Sequence, residues 1–210
     1  MKTIKQEHIQ AEITEKKSKF IANVFYVKNV EEAENFIKNI RKKYYDARHN
    51  PFAYCVSENG DIITKVTDDG EPSKTAGAPI LNVITGKELT NILIIVTRYF
   101  GGILLGTGGL VKAYTNASLE ALRNAEYVIE QLGIELKIKI EYIDLEKIKY
   151  YCKKNDINII NIEYSNLIEV TLEVTNEEKD KIISNNQETL FNVLEYRILS
   201  KKNIRKNIEK

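Results

Sequence analysis

Glycine and proline are concentrated in the middle of the chain, and this uneven placement constrains the fold more than any other feature of the sequence. Nine of the ten glycines and all three prolines lie between Pro51 and Gly109, and Gly133 is the last glycine. Because these residues mark turns and close backbone approaches, we expect tight loops in the middle of the chain and regular structure after it. Gly133 then predicts the boundary between two units, with one domain at 1–132, a second at 134–200 and a basic tail at 201–210.

The residues after Gly133 predict a β-α-β-β-α-β domain. Apolar and polar residues alternate, with the period of half-buried strands, in four segments. These segments are 134–140, 160–164, 168–174 and 194–198. Helical spacing follows Asp144, and Asn176 is the predicted N-cap of a second helix. This order is the ferredoxin-like arrangement, and because only one face of its sheet is apolar, both helices should cover that face.

The open face of that sheet does not resemble an RNA-recognition motif. Its predicted side chains are those of Glu135, Lys137, Glu169, Thr171, Glu173 and Arg197. They include no aromatic pair on which bases could stack, so we expect a solvated face or a face that docks a protein. The other aromatic residues recur at core spacings, and base stacking should therefore contribute little to any nucleic-acid binding.

The residues before Gly133 predict an α+β sandwich. Asn29 and Glu32 form a capping signal for one helix, Pro79 and Gly86 bound a shorter one, and alanines at every fourth position over 113–125 mark a third. We expect these helices on one side of a mostly antiparallel sheet. The predicted strands are 4–13, 20–27, 52–56, 62–66 and 91–97.

Charge and hydropathy exclude two classes of protein. The chain has 31 Lys and Arg against 30 Asp and Glu, a net charge of +1, which excludes a strongly basic nucleic-acid-binding protein but allows a local basic patch. The longest uncharged stretch, Tyr99 to Val111, is too short to span a bilayer, and no apolar leader follows the N-terminus. Cys55 and Cys152 share no metal-ligand spacing and predict buried free thiols. We expect a cytoplasmic protein with no membrane partner.

A glycine-rich segment between a predicted strand and a predicted helix is the best candidate for binding an anion. Backbone N–H groups at such a loop, together with a helix N-terminus, often hold phosphate. The P-loop pattern fails because Thr107 occupies the position of its lysine, and the dinucleotide fingerprint is missing. The alternative is a turn that only packs against the core. The candidate residues are Arg98, Gly101, Gly102, Gly106, Thr107, Gly108 and Gly109.

Three acidic residues, Asp68, Asp69 and Glu71, lie in a second segment rich in turn residues. They could hold a divalent ion, but we favour a turn in which Asp69 or Glu71 orients the guanidinium of Arg98. We therefore predict no metal and no cofactor. His49, before a strand, is interpreted as a hydrogen-bonded structural residue.

Basic residues supply further candidates for contacts with phosphate. Lys16 and Lys17 precede one predicted strand and belong to the same basic cluster as Lys19. The remaining candidates are Lys19, Arg41, Lys42, Lys43, Lys74 and Lys112.

Four long runs resemble the IMPACT family, whose bacterial branch is called YigZ-like. They are KKSKFIA, HNPFAYCV, DDGEPSKTAGAPIL and VTRYFGGILLGTGGLVKAY. The resemblance implies an N-terminal domain with the ribosomal-protein domain-2-like fold, shared with RNase PH and with domain IV of elongation factor G. It implies a C-terminal domain like domain V of that factor. Eukaryotic members of the family regulate translation.

Together these features predict a non-catalytic protein that binds RNA or the ribosome and modulates translation. An enzyme acting at the glycine-rich loop on a phosphorylated small molecule or nucleotide is the first alternative. It is disfavoured because Thr107 has no histidine or lysine within two residues to serve as its base. The second alternative is a protein-interaction module that uses the charged sheet face.

Overall fold

The computed structural model describes residues 1–184 and 190–208, which form two compact α+β units divided between Val128 and Ile129. The boundary predicted at Gly133 falls too late, because Gly133 lies inside a long strand, β7 (Tyr127–Ile140). Gly133 is required there for packing, since a Cβ atom would come within 2.6 Å of the Ile204 side chain. The glycine thus marks a close approach rather than a hinge.

The first unit is built on a five-stranded sheet with the order β2-β3-β6-β4-β5. The sheet strands are β2 (His8–Glu15), β3 (Ser18–Tyr26), β4 (Phe52–Glu58), β5 (Asp61–Thr67) and β6 (Ile92–Tyr99), and β1 (Lys2–Ile4) lies outside this sheet. Its helices are α1 (Val30–Lys43), α2 (Gly77–Gly86) and α3 (Gly106–Arg123). The pairings β2–β3, β3–β6, β4–β6 and β4–β5 are antiparallel, and β4 and β5 form a hairpin. The single strand predicted over 4–13 is divided into β1 and β2.

Both faces of this sheet are covered, so the prediction that all helices lie on one side is wrong. Val24 packs with residues of α2 and α3, whereas its neighbour Phe25 packs with Ile37 and Ile40 of α1. The central strands β3 and β6 are buried along almost their whole length, which requires apolar cover on each side. Alternation along a strand sends successive side chains to opposite faces, and here both sets are apolar.

The local signals at the helix ends are largely confirmed. The Asn29 side chain accepts a hydrogen bond from the N–H of Glu32 at 2.8 Å, and the Glu32 carboxylate accepts one from the N–H of Lys28. The first helix therefore begins where its capping signal predicts. Pro79 and Gly86 lie near the start and at the end of α2, also as predicted.

The second unit has the predicted β-α-β-β-α-β order. It consists of part of β7, a 3-10 turn (Tyr142–Asp144), α4 (Leu145–Lys154), β8 (Asn158–Tyr164), β9 (Ile168–Val174), α5 (Asn176–Ile183) and β10 (Glu195–Asn207). The strand order is β10-β7-β9-β8. Ile148 and Cys152 of α4 and Ile182 of α5 share one core with the apolar residues of the strands. Both helices thus cover the apolar face, as predicted. Cys152 in this unit and Cys55 in the first unit are buried free thiols, also as predicted.

Two predictions for this unit are wrong. The N-cap of α5 is Thr175 rather than Asn176, because the Thr175 hydroxyl accepts a hydrogen bond from the N–H of Glu178 at 3.1 Å. The predicted basic tail is structured over 201–207, which continues β10, while residues 209–210 lie outside the described residues. Ile204 is buried and Lys202 forms ion pairs with Glu135 and Glu173, so the tail contributes both a core side chain and paired charges.

In the described part of the chain, no helix combines the length and apolar character that crossing a membrane would require.

Candidate functional site

The candidate residues of the first unit gather where several loops meet at one end of its sheet. In the antiparallel register Lys19 pairs with Tyr99 and Phe20 with Arg98, so the β2–β3 turn lies beside the loop that follows β6. His49 forms a β-bridge with Arg98, which brings the segment before β4 to the same place. We call this region, made of residues 16–19, 44–51, 67–77 and 98–109, the loop end.

Arg98 lies in a buried network at the base of the loop end. Its Nη1 atom forms an ion pair with Oε1 of Glu71 at 2.6 Å, and the two side chains are 8% and 3% exposed. The Tyr114 hydroxyl of α3 donates a hydrogen bond to the same oxygen at 2.7 Å. Burial and the neighbouring Glu71 carboxylate raise the pKa of Tyr114 far above its usual value, so this hydroxyl remains protonated and remains a donor. The network fixes the end of β6 to α3.

Two aromatic rings flank the Arg98 guanidinium. The Cζ atom of Arg98 lies 5.6 Å from the centroid of the Phe20 ring and 5.6 Å from that of the Phe100 ring. Phe20 is fully buried, whereas Phe100 is 51% exposed. Within the described residues Nε of Arg98 is buried and has no hydrogen-bond partner. The cation is therefore held by one carboxylate and by two aromatic faces.

The other two acids of the second segment have different partners. The Asp69 carboxylate forms an ion pair with Arg41 at 2.7 Å and accepts a hydrogen bond from the N–H of Asn50 at 2.7 Å, so it does not orient Arg98. Nδ1 of His49 donates a hydrogen bond to the carbonyl oxygen of Asp69 at 2.9 Å, consistent with a structural histidine. No group of three metal-ligating side chains occurs in the described ranges.

Asp68 occupies the N-terminus of α2. Its carboxylate accepts hydrogen bonds from the N–H groups of Lys74, Ala76 and Gly77 at 2.8 to 3.0 Å. Although partial burial opposes it, these three bonds hold the pKa of Asp68 below its ordinary value. The positive end of this helix is thus satisfied by the protein's own anion.

The N-terminus of α3 has no such cap. Leu105 at the N-cap position has no side-chain oxygen, and no other side chain of the described residues caps this end. Gly106, Thr107 and Gly108 form the first turn and are exposed. The first N–H groups of a helix have no partner within the helix, so an anion bound at this end would be stabilised by hydrogen bonds and by the helix dipole.

The glycines divide between the loop and the helix, which corrects the prediction of a five-glycine loop. Only Gly101 and Gly102 precede α3, since buried Leu105 and Leu110 anchor the helix from Gly106 onward. A Cβ atom at Gly101 would overlap the carbonyl group of Lys17, so the loop needs glycine there to lie against the β2–β3 turn. The N–H of Gly101 also donates a hydrogen bond to the Ser18 hydroxyl at 3.1 Å.

Lys16 and Lys17 form the two-residue turn between β2 and β3. Glu15 pairs with Ser18, and the two lysines between them have φ angles of 44° and 65°. Such turns favour Asn-Gly because both positions are left-handed. Both lysines are exposed and lie next to the glycine loop. Lysine thus occupies two positions whose left-handed backbone conformation favours asparagine or glycine.

The remaining basic candidates fall into two groups. Lys19 pairs with Glu12 at 2.7 Å, and Arg41 is engaged by Asp69. The others are exposed and have no acidic side chain of the described residues within ion-pair distance: Lys42, Lys43, Lys74 and Lys112. Lys42 and Lys43 belong to the same helical turn as Arg41, and Lys112 lies in the second turn of α3. Of these four residues only Lys74 belongs to the loop end, where Lys16 and Lys17 are the other exposed lysines.

An exposed apolar surface that was not predicted from the sequence lies in the same loop as Gly101 and Gly102. The prediction that the aromatic residues lie at core spacings is wrong for Phe100, of which half is exposed, and Ile103 and Leu104 are 42% and 83% exposed. The signal available in the sequence was the uncharged stretch after Arg98, where apolar residues stand in a loop rather than in a strand or helix.

Comparisons with known proteins agree with this architecture. The family model described as the Impact N-terminal domain matches residues 16–122, and a domain of unknown function, DUF1949, matches residues 138–184. The chain is 40% identical over 158 residues to the IMPACT family member YvyE of Bacillus subtilis (strain 168), covering 75% of this chain and 72% of that protein. It is 39% identical over 150 residues to the IMPACT family member YigZ of Escherichia coli (strain K12), covering 71% and 74%.

A solved structure extends the likeness to the whole chain. It is described as a crystal structure of a hypothetical protein, and it matches with a TM-score of 0.60 and 28% identity over 100% of this chain and 97% of that one. The family model for the N-terminal domain includes the whole loop end, from the lysine turn to α3. The chain therefore belongs to the IMPACT family.

Proposed function

We propose that this protein is a cytoplasmic, non-catalytic protein that binds RNA, free or within the ribosome, through the loop end, and that this binding modulates translation. The observation that carries the proposal is the close approach of the Lys16–Lys17 turn to Gly101, in the short loop that leads to the uncapped N-terminus of α3. Translation is the process that the resemblance to the IMPACT family implies. The binding itself is argued from the local charge.

Phosphate groups of RNA fit the chemistry of the loop end. Exposed lysines supply full positive charges, and the first N–H groups of α3 supply hydrogen-bond donors with a partial positive charge. Asp68 already occupies the equivalent position at α2, which shows how an anion is held at a helix start in this protein. A phosphate would occupy the corresponding position at α3.

The two alternative functions have less support. The buried carboxylate of Glu71 is engaged by both Arg98 and Tyr114, an arrangement that stabilises structure rather than supplying a free base. On the open face of the second sheet, Lys137 pairs with Glu163 and Glu169. Paired charges leave that face with little net potential to attract a partner.

Salt dependence tests the proposal. The full chain is titrated into a fluorescein-labelled 12-nucleotide RNA at several salt concentrations, and its co-sedimentation with ribosomes is measured in parallel. The affinity for RNA should fall with salt, with a slope of about 0.7 in log–log units for each phosphate contact on a single strand. Lys16→Ala/Lys17→Ala should weaken binding and reduce that slope by about 1.4.

A matched variant controls for net charge. Lys153→Ala/Lys154→Ala removes two exposed lysines from α4 in the second unit and should leave the RNA affinity and its slope unchanged. Equal losses in the two double variants, or no RNA and no ribosome binding by the unmodified chain, would contradict the proposed function.

A further inference from the structure

Phe100 presents one aromatic face to solvent directly after a buried strand. The strand residues before it on the same face, Val96 and Arg98, are buried, whereas Phe100 is 51% exposed. Its covered face lies over the guanidinium of Arg98, with 5.6 Å between Cζ and the ring centroid. A single exposed aromatic ring needs no explanation by itself. An exposed ring held on a buried cation has a defined orientation and a defined open face.

The cation beneath Phe100 is held from several directions. Glu71 binds its Nη1 atom at 2.6 Å, and the backbone N–H of Arg98 donates to the carbonyl of His49 at 3.0 Å. The Phe20 ring also lies 5.6 Å from Cζ of Arg98 and meets Tyr114 edge-on, with 5.1 Å between ring centroids. Arg98 therefore has little freedom, and the ring that stacks on it is preorganised before any ligand binds.

We propose that Phe100 is a stacking platform for an unpaired base of single-stranded RNA, the top layer of a stack formed by Phe20, Arg98 and Phe100. The proposal rests on the proposed function, because it names the form of RNA that the loop end binds. An aromatic face is the common means by which proteins hold unpaired bases, since every base has a π-face. The positive charge below draws the ring's electron density inward, which favours stacking by an electron-rich purine.

The phosphate contacts lie within reach of this platform. Gly101 follows Phe100 directly, and it lies against the backbone of Lys17 so closely that no side chain fits between them. The same loop continues through exposed Ile103 and Leu104 to the uncapped first turn of α3. The lysine turn and the helix start are thus the groups that would bind the phosphates next to a base on Phe100.

Single-stranded RNA fits these features better than a duplex or a protein. In a duplex the bases are stacked on one another, so the Phe100 face would stay empty. A protein would use the apolar Ile103 and Leu104 without requiring the adjacent lysine turn. Dependence on both Phe100 and the lysine turn distinguishes RNA from these ligands.

The test uses the full chain and three fluorescein-labelled RNAs: a 12-nucleotide oligo(A), an oligo(U) of the same length and a 12-base-pair duplex. Phe100→Leu removes the π-face and keeps most of the apolar volume, and Phe100→Tyr restores the ring. Loss of one stacked base should weaken oligo(A) binding by about 5- to 100-fold in Phe100→Leu, less for oligo(U), and Phe100→Tyr should recover it. The salt slope should not change, because no phosphate contact is lost. Melting temperatures of both variants check that the fold is intact.

The outcomes separate this proposal from the function on which it rests. If Phe100→Leu binds oligo(A) as the unmodified chain does, while Lys16→Ala/Lys17→Ala loses it, the stacking platform is wrong and the proposed function stands. A loss on the duplex equal to the loss on oligo(A) also overturns the platform. If neither oligo(A) nor oligo(U) binds, and Phe100→Leu co-sediments with ribosomes as well as the unmodified chain does, the stacking platform is wrong while the proposed function stands for RNA within the ribosome.

Discussion

Replacing Lys16 and Lys17 with Asn and Gly should stabilise the protein while it weakens binding to RNA. Both lysines have left-handed backbone angles, with φ of 44° and 65°. For an L-residue that conformation costs about 1–2 kcal/mol. Asn adopts it more readily than lysine, and glycine adopts it without steric cost.

The expected gain is smaller than the sum of the two strains. Glycine at position 17 lowers the gain in stability by about 0.5–1 kcal/mol, because it increases the conformational entropy of the unfolded chain. Relief of strain at Lys16 and Lys17, less that entropy, leaves a net stabilisation of about 1 kcal/mol. For a protein of this size the melting temperature should rise by about 2–4 °C.

The assay compares thermal unfolding and RNA affinity in three chains. Lys16→Ala/Lys17→Ala removes the same two charges but keeps a β-carbon at both left-handed positions, so it should not raise the melting temperature. Both double variants should weaken RNA binding to a similar extent. A melting temperature that rises equally in both variants would show that charge repulsion, not backbone strain, destabilises the turn. A fall in the Asn-Gly variant would refute the assignment of strain altogether.

Three further predictions concern the structure that supports the loop end. Arg98→Ala should lower the free energy of unfolding by about 3–5 kcal/mol in urea denaturation, because the buried Glu71 carboxylate loses its partner; a loss below 1 kcal/mol would contradict a buried ion pair. Gly101→Ala should be strongly destabilising, because its Cβ would overlap the backbone carbonyl of Lys17. Gly108→Ala, whose Cβ would meet open space in α3, should instead stabilise the protein by about 0.5–1 kcal/mol in thermal melts. The reverse order of stabilities would refute the loop geometry. Asp68→Asn should cost about 1 kcal/mol at pH 7. The folded-state pKa of Asp68 is depressed, so its stabilisation is complete above the unfolded pKa of about 3.9 and is lost as pH falls through the folded value. The melting temperatures of the unmodified chain and Asp68→Asn should therefore converge at low pH. A difference in melting temperature that does not change with pH would refute the role of the Asp68 carboxylate.

The parts of the fold that depend on neighbouring residues could be predicted from the sequence. Asn29 and Glu32 are three residues apart, and the hydrogen bonds that they accept from the N–H groups of Glu32 and Lys28 depend only on neighbours in the chain. The alternation in the second unit fixes which side chains face the helices, whatever the length of the connections. Such signals need no knowledge of distant contacts.

The partners at the loop end could not be predicted in this way. Asp69 and Glu71 are two residues apart and both lie far from Arg98 along the chain, so only the three-dimensional path of the 67–77 loop decides which of them meets the guanidinium. The exposure of Phe100 has a similar cause. The spacing of Phe100 from Val96 and Arg98 places it on the buried face of β6. The strand ends at Tyr99, however, and Phe100 lies beyond its buried part.

The central claim is that the loop end is the surface that binds RNA, and amide hydrogen exchange tests it most directly. Exchange is measured on the full chain with and without saturating oligo(A). Binding should slow exchange at residues 16–19 and at 100–109, because the first N–H groups of α3 become donors to phosphate and the lysine turn becomes covered. Slowing confined to residues 129–208, with 100–109 unchanged in the bound protein, would contradict the account.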